Sequence, residues 1–77
     1  MTTTVLLFGQ LQEITSKHEL QVNEMADTHT LLAELSRMYP AIATAKYIIA
    51  VDKQIISGNT KLKDGSTVAL LPPFSGG

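Results

Sequence analysis

Only one stretch of this chain repeats its apolar residues at helical spacing. Leu31, Leu32, Leu35, Met38 and Tyr39 fall on one stripe, the pattern of a helix that buries one face. Pro40 ends it, because the residue before a proline is pushed out of the α region. Asp27 or Thr28 can accept the free backbone N–H groups of the first turn, with Thr28 read as the cap. The other apolar runs are short and mostly β-rich. A lone helix of this kind must bury its stripe against a sheet, which restricts the chain to one main helix packed across one sheet.

The strands follow in order around that helix. Residues 2–8 read as a strand, with Val5, Leu6, Leu7 and Phe8 apolar on both faces as in a central, buried strand. Gly9 breaks it, and residues 10–16, with Leu11 and Ile14 three apart, read as a short turn or single helical coil. Residues 18–22 alternate polar and apolar through Leu20 and Val22, the mark of a half-buried strand. Hairpin pairing with the first strand is the economical choice. Past the helix, residues 41–46 form a small-residue crossover. Residues 47–51 read as a third strand, Asp52-Lys53 as its turn, and residues 54–56 as a short returning fourth. Ser57-Gly58-Asn59 is loop chemistry. Asp64-Gly65 marks a tight turn. Residues 67–71 form the last strand, again apolar on both faces and therefore central. Only the crossover that holds the helix is long enough to be parallel, so the first and last strands become parallel neighbours at the sheet centre. This is an α+β fold with a mixed sheet, a β-grasp. Residues 1–71 make the domain and 72–77 a tail.

What the chain lacks narrows its function. With 77 residues and no cysteine, disulfides, thiolate metal sites and four-cysteine iron–sulfur clusters are excluded. That fits a reducing, cytoplasmic setting. Net charge is −1 with no Lys/Arg cluster, which argues against nucleic acid or an anionic membrane as target. The first residues carry no basic region or long apolar run, so neither a signal peptide nor a transmembrane helix is expected. Charged residues make up 17%, against about 25% in typical domains; the deficit suggests a surface that a partner covers. His18 and His29 are far apart, and neither has a His, Cys or carboxylate partner at ligand spacing. Glu13, Glu19, Glu24, Asp27, Glu34, Asp52 and Asp64 are scattered rather than paired for acid–base work. No phosphate-binding glycine motif occurs. No internal active site and no bound cofactor are expected, which leaves the chain end as the reacting group.

That end reads Pro72-Pro73-Phe74-Ser75-Gly76-Gly77. A Gly-Gly ending arises by chance with a probability of roughly 0.5% at ordinary glycine usage. The prolines favour a stiff, polyproline-type path. Phe74, a large apolar side chain on an arm, is best explained by a pocket on another protein; folding back on its own sheet is the alternative. Gly76 and Gly77 carry nothing that would widen the arm. Six extended residues reach about 20 Å, enough to bring a terminal carboxylate into a buried site.

On a β-grasp of this length, the turn Leu62-Lys63-Asp64-Gly65-Ser66-Thr67-Val68 and the ending from Leu71 to Gly77 resemble one family. It is the small, sulfur-carrying subunit of molybdopterin synthase (the MoaD type) among the ubiquitin-like sulfur carriers, and the resemblance covers essentially the whole chain. The Asp-Gly turn is common to the wider group; the Pro-Pro ending discriminates. The resemblance implies that Gly77 is adenylated at the expense of ATP by a ubiquitin-activating-type adenylyltransferase (MoeB type). It also implies conversion to a thiocarboxylate, with sulfur supplied through a sulfurtransferase. The tail, Pro72, Pro73, Phe74, Ser75 and Gly76, then inserts into a large catalytic subunit (MoaE type). There Gly77 delivers sulfur to cyclic pyranopterin monophosphate, forming the dithiolene of molybdopterin. The carrier itself is non-catalytic, and ATP is used by the activating partner. Asp52 departs from many relatives, which carry asparagine there. The alternatives are a carrier for thiamine, cysteine or tRNA thiolation, a modifier conjugated to lysines through Gly77, and a β-grasp binding module with an unused tail. The Pro-Pro-Phe segment favours the first reading over the thiazole carrier.

Overall fold

The computed structural model describes residues 1–73. In order the elements are β1 (Thr2–Leu7), α1 (Gln10–Thr15), β2 (Glu19–Asn23) and α2 (Thr28–Met38). A 3₁₀ helix (Pro40–Thr44), β3 (Ile48–Val51), β4 (Gln54–Ile56) and β5 (Thr67–Leu71) follow. The strands form one mixed sheet in the order β2-β1-β5-β3-β4. β1 and β5 run parallel, and the remaining pairs are antiparallel. The expected β-grasp is therefore present, with the two end strands of the chain side by side.

Register sets the core. Val5 lies opposite both Leu20 and Val68, Leu7 opposite Leu70, and Val51 opposite Val68. Strand side chains alternate between faces, so Val5, Leu7, Val68 and Leu70 all meet α2 on one side. Leu31 and Leu35 of α2 are fully buried against them, with Leu11 and Ile42 closing the ends. Burying one such side chain stabilises by roughly 1.5–3 kcal/mol.

Two local readings are corrected. The cap of α2 is Asp27, not Thr28: Asp27 is extended (φ −155°, ψ 174°), and its carboxylate accepts the Thr30 N–H at 2.8 Å. Thr28 is instead the first helical residue, 1% exposed. Its hydroxyl donates to Asn59 Oδ1 at 3.1 Å and accepts from the Thr60 N–H at 3.0 Å. Committed to that loop, it has no capping role. The bonds from Thr30, and one from Asn59, hold the Asp27 carboxyl below its ordinary value. Second, Met38 falls off the apolar stripe and is exposed, while Tyr39 still packs against the core. The 3₁₀ helix folds back beside α2 and buries Ile42 there instead.

The turns are tied to the sheet by side chains. Asp52 and Lys53 both take positive φ (49° and 72°), the backbone of a two-residue hairpin turn whose twist suits the strands. Asp52 Oδ1 accepts the Thr67 N–H at 2.9 Å, and its own N–H donates to the Thr67 carbonyl at 2.8 Å. An acid at this position therefore fits the turn. In the second turn Gly65 adopts φ +85°. Its N–H donates to the Thr2 carbonyl while Asp64 Oδ1 accepts the Thr2 N–H, both at 2.8 Å.

Candidate docking face and tail root

The helices cover one face of the sheet only. By strand alternation the other face carries Leu6 and Phe8, Ala69 and Leu71, Ile48, Ala50 and Ile55. Burial in β1 and β5 accordingly alternates between half-buried and buried. The expectation that these strands are buried on both faces is thus half right. They are central within the sheet, yet one main helix has surface for a single face. The second face leaves Phe8 41% and Ile55 63% exposed. A contiguous apolar patch with polar groups around it marks an interaction site. Leu6, Ala50 and Ala69 form the floor of a shallow depression of about 270 Å³, with Asp52, Lys53 and Thr67 also lining it.

The tail leaves at one end of this face. Leu70, fully buried, anchors β5. Its carbonyl accepts the Phe8 N–H at 3.2 Å, and Leu71 lies opposite Ile48. Pro72 and Pro73, both exposed, have no N–H with which to extend the ladder, so β5 stops there. Because β5 is the middle strand, the root of the arm is held by neighbours on both sides. Of the residues expected to react or insert, Pro72 and Pro73 sit at this root. Phe74, Ser75, Gly76 and Gly77 lie outside the described residues.

A second hollow, about 460 Å³, opens between the start of α2 and the β3–β4 pair. It is lined mainly by Leu32, Tyr47, Ile48, Ile49, Ile55 and Ile56, with His29 at its polar side. Burial raises the Tyr47 phenol above its ordinary value. His18 lies on the surface within 3.4 Å of the Gln12 amide, and the His29 N–H donates to Asn59 Oδ1. Glu34 is held low by its partner Arg37 on the exposed side of α2. These are structural pairings, and His29 also lines the hollow that Ile48 and Ile55 border. Among the described residues no group of three or more His, Cys, Asp or Glu side chains could hold a metal ion.

Sequence reasoning expected a covered surface without locating it. The signal was available in the parity of the strands: Leu6, Phe8, Ala69 and Leu71 all fall on the face opposite the core residues. Apolar side chains on that parity lie on the face that the helices leave open.

Comparison with known proteins agrees with this geometry. The model of the ThiS family matches residues 5–77. The molybdopterin synthase sulfur carrier subunit of Chlamydomonas reinhardtii is 31% identical over 83 residues, covering 100% of both chains. That of Dictyostelium discoideum is 30% identical over 80 residues, covering 95% of this chain and 93% of the relative. Among solved structures, small archaeal modifier protein 1 from Methanosarcina acetivorans superposes with a TM-score of 0.83 at 25% identity, covering 99% of this chain and 96% of that one. A chain in the complex of subunits 1 and 2 of molybdopterin-converting factor from Helicobacter pylori gives 0.66 at 27% identity, with both chains fully covered. Matched over residues 5–77 and aligned with sulfur carriers along almost its whole length, this β-grasp chain belongs to the ThiS family.

Proposed function

We propose that this chain is the sulfur-carrier subunit of a molybdopterin synthase, with Gly77 as its reacting end. The observation that carries the reading is the Pro72-Pro73 root on the middle strand, beside an uncovered apolar face. Such a domain offers a partner a surface to grip and an arm to draw in. The names of its full-length relatives support the same reading.

The chemistry follows from the carboxylate. A carboxylate is a poor acylating group, so the adenylyltransferase joins it to AMP. The Gly77 oxygen attacks the α-phosphorus of ATP and pyrophosphate leaves. Hydrosulfide, released from the persulfide of the sulfurtransferase by a thiol reductant, then displaces AMP, leaving a thiocarboxylate. Docked on the large catalytic subunit, the thiocarboxylate sulfur bonds a carbon of cyclic pyranopterin monophosphate and displaces an oxygen substituent; water then cleaves the thioester so formed, leaving the sulfur on the pterin and Gly77 as a carboxylate. A dithiolene has two sulfurs, so two loaded carriers are consumed per product. The stiff proline root lowers the entropy lost when the arm is threaded. The archaeal modifier neighbour supports a second reading with the same activation, in which a lysine amine takes the activated Gly77 and forms an isopeptide.

Because the chain has no cysteine, the test is clean. After incubation with the adenylyltransferase, ATP and a sulfur donor, thiol-selective alkylation should label the C-terminal peptide and nothing else. Intact mass is a poorer readout, since oxidation of Met1, Met25 or Met38 adds the same nominal mass as exchanging oxygen for sulfur. No label on that peptide, with an activating system of proven competence, rejects the carrier function.

A further inference from the structure

Gly9 stands where β1 ends, beside the start of the tail. Its backbone lies at φ 55°, ψ −129°, a combination populated essentially by glycine. The Gln12 and Glu13 N–H groups donate to its carbonyl at 3.1 and 3.3 Å, and the Leu11 N–H donates to the Phe8 carbonyl at 3.1 Å. These bonds fix the turn into α1. A Cβ built on Gly9 would stand 2.9 Å from Pro72 Cγ and 3.5 Å from Pro72 Cβ. Carbon atoms pack at about 3.5–4.0 Å, so the first of these is an overlap. The obstructing atom belongs to a ring closed on its own backbone, which cannot swing away like a flexible side chain. Relief beyond what a change of ring pucker gives must come from moving the backbone of residue 9 or of residue 72. Nothing lies within 4 Å of a Cβ built on Gly58 or Gly65.

We propose that Gly9 is a positioning residue for the tail: its missing side chain forms the seat on which Pro72 rests, and so sets the direction in which the arm leaves β5. The inference rests on the carrier reading, because direction matters only if the end of the arm must reach a reacting partner. The arm acts as a lever. A tilt of about 10° at the root moves the end of an arm of about 20 Å by roughly 3 Å. A misplacement of about 1 Å can cost about a hundredfold in rate.

The test is a double-mutant cycle with two readouts. Gly9→Ala, Pro72→Ala and the double variant are each prepared as C-terminal thiocarboxylates by semisynthesis, which bypasses the activating enzyme. Sulfur delivery is then followed in a single turnover at saturating large subunit. Alanine at position 72 keeps the Cβ, at 3.5 Å, but lacks the Cγ at 2.9 Å and the Cδ at 3.8 Å. Gly9→Ala is expected to slow delivery about tenfold or more when Pro72 is present, but less than about twofold in the Pro72→Ala background. The backbone strain of alanine at positive φ is common to both backgrounds, and a thermal melt of each variant measures what stability the overlap adds to it. That separates positioning from folding. In the free wild-type protein, nuclear Overhauser contacts between the Gly9 α protons and the Pro72 ring report the seat without reference to activity. Missing contacts, or equal slowing in both backgrounds, overturn the positioning role. A wild-type thiocarboxylate that delivers no sulfur at all rejects the carrier reading itself.

Discussion

Adding one residue after Gly77 is expected to abolish sulfur delivery while leaving the thermal midpoint within about 4 °C of wild type, the shift expected from about 0.5 kcal/mol in a domain this small. The addition converts the Gly77 carboxylate into an unreactive peptide amide. The new carboxylate sits about 3.3 Å farther along an extended arm and misses the reacting position. The core, by contrast, closes on Leu31, Leu35, Val68 and Leu70, all upstream of the tail. A large loss of stability would mean that the end is structural. Retained delivery would mean that the reacting group is not on Gly77.

The second large effect separates anchor from core. Leu35→Ala removes a fully buried side chain from the helix stripe and should cost about 2–5 kcal/mol of folding free energy, a large share of the total for a small domain. Phe74→Ala should leave the denaturant melt of the free domain unchanged. It should weaken association with the large subunit by about thirtyfold, the equivalent of ~2 kcal/mol for a buried interface aromatic. If Phe74→Ala unfolds the free domain as severely as Leu35→Ala, the inserted-arm account is wrong.

Much of this architecture was legible because long-range order is written in residue spacing. The helix stripe and the β-rich runs placed α2 and all five strands, and parallel pairing of β1 with β5 followed from the one available crossover. Short elements were less readable. α1 has six residues and the 3₁₀ helix five, too few turns to display a period, so Leu11 and Ile42 went unmarked as core. The choice between Asp27 and Thr28 as cap turned on Asn59, thirty-two residues beyond Asp27, which engages both side chains. Local sequence carries no trace of that contact. The docking face was hidden for another reason. An apolar run such as Val5 to Phe8 reads alike whether its second face meets a helix of its own chain or awaits a partner. The tail reading rests on composition: prolines that restrict the path and glycines that carry no bulk, with residues 74–77 outside the described residues.

The central claim is that sulfur travels on Gly77 from an activating enzyme to a pterin. It is tested most directly by loading the carrier with isotopically labelled sulfur, removing every other sulfur source, and mixing it with the large subunit and cyclic pyranopterin monophosphate. The account predicts that the label leaves the C-terminal peptide and appears in the dithiolene, with two carriers returned to the carboxylate form for each molybdopterin made. Label that stays on the carrier with a competent large subunit, or unlabelled product, would contradict it.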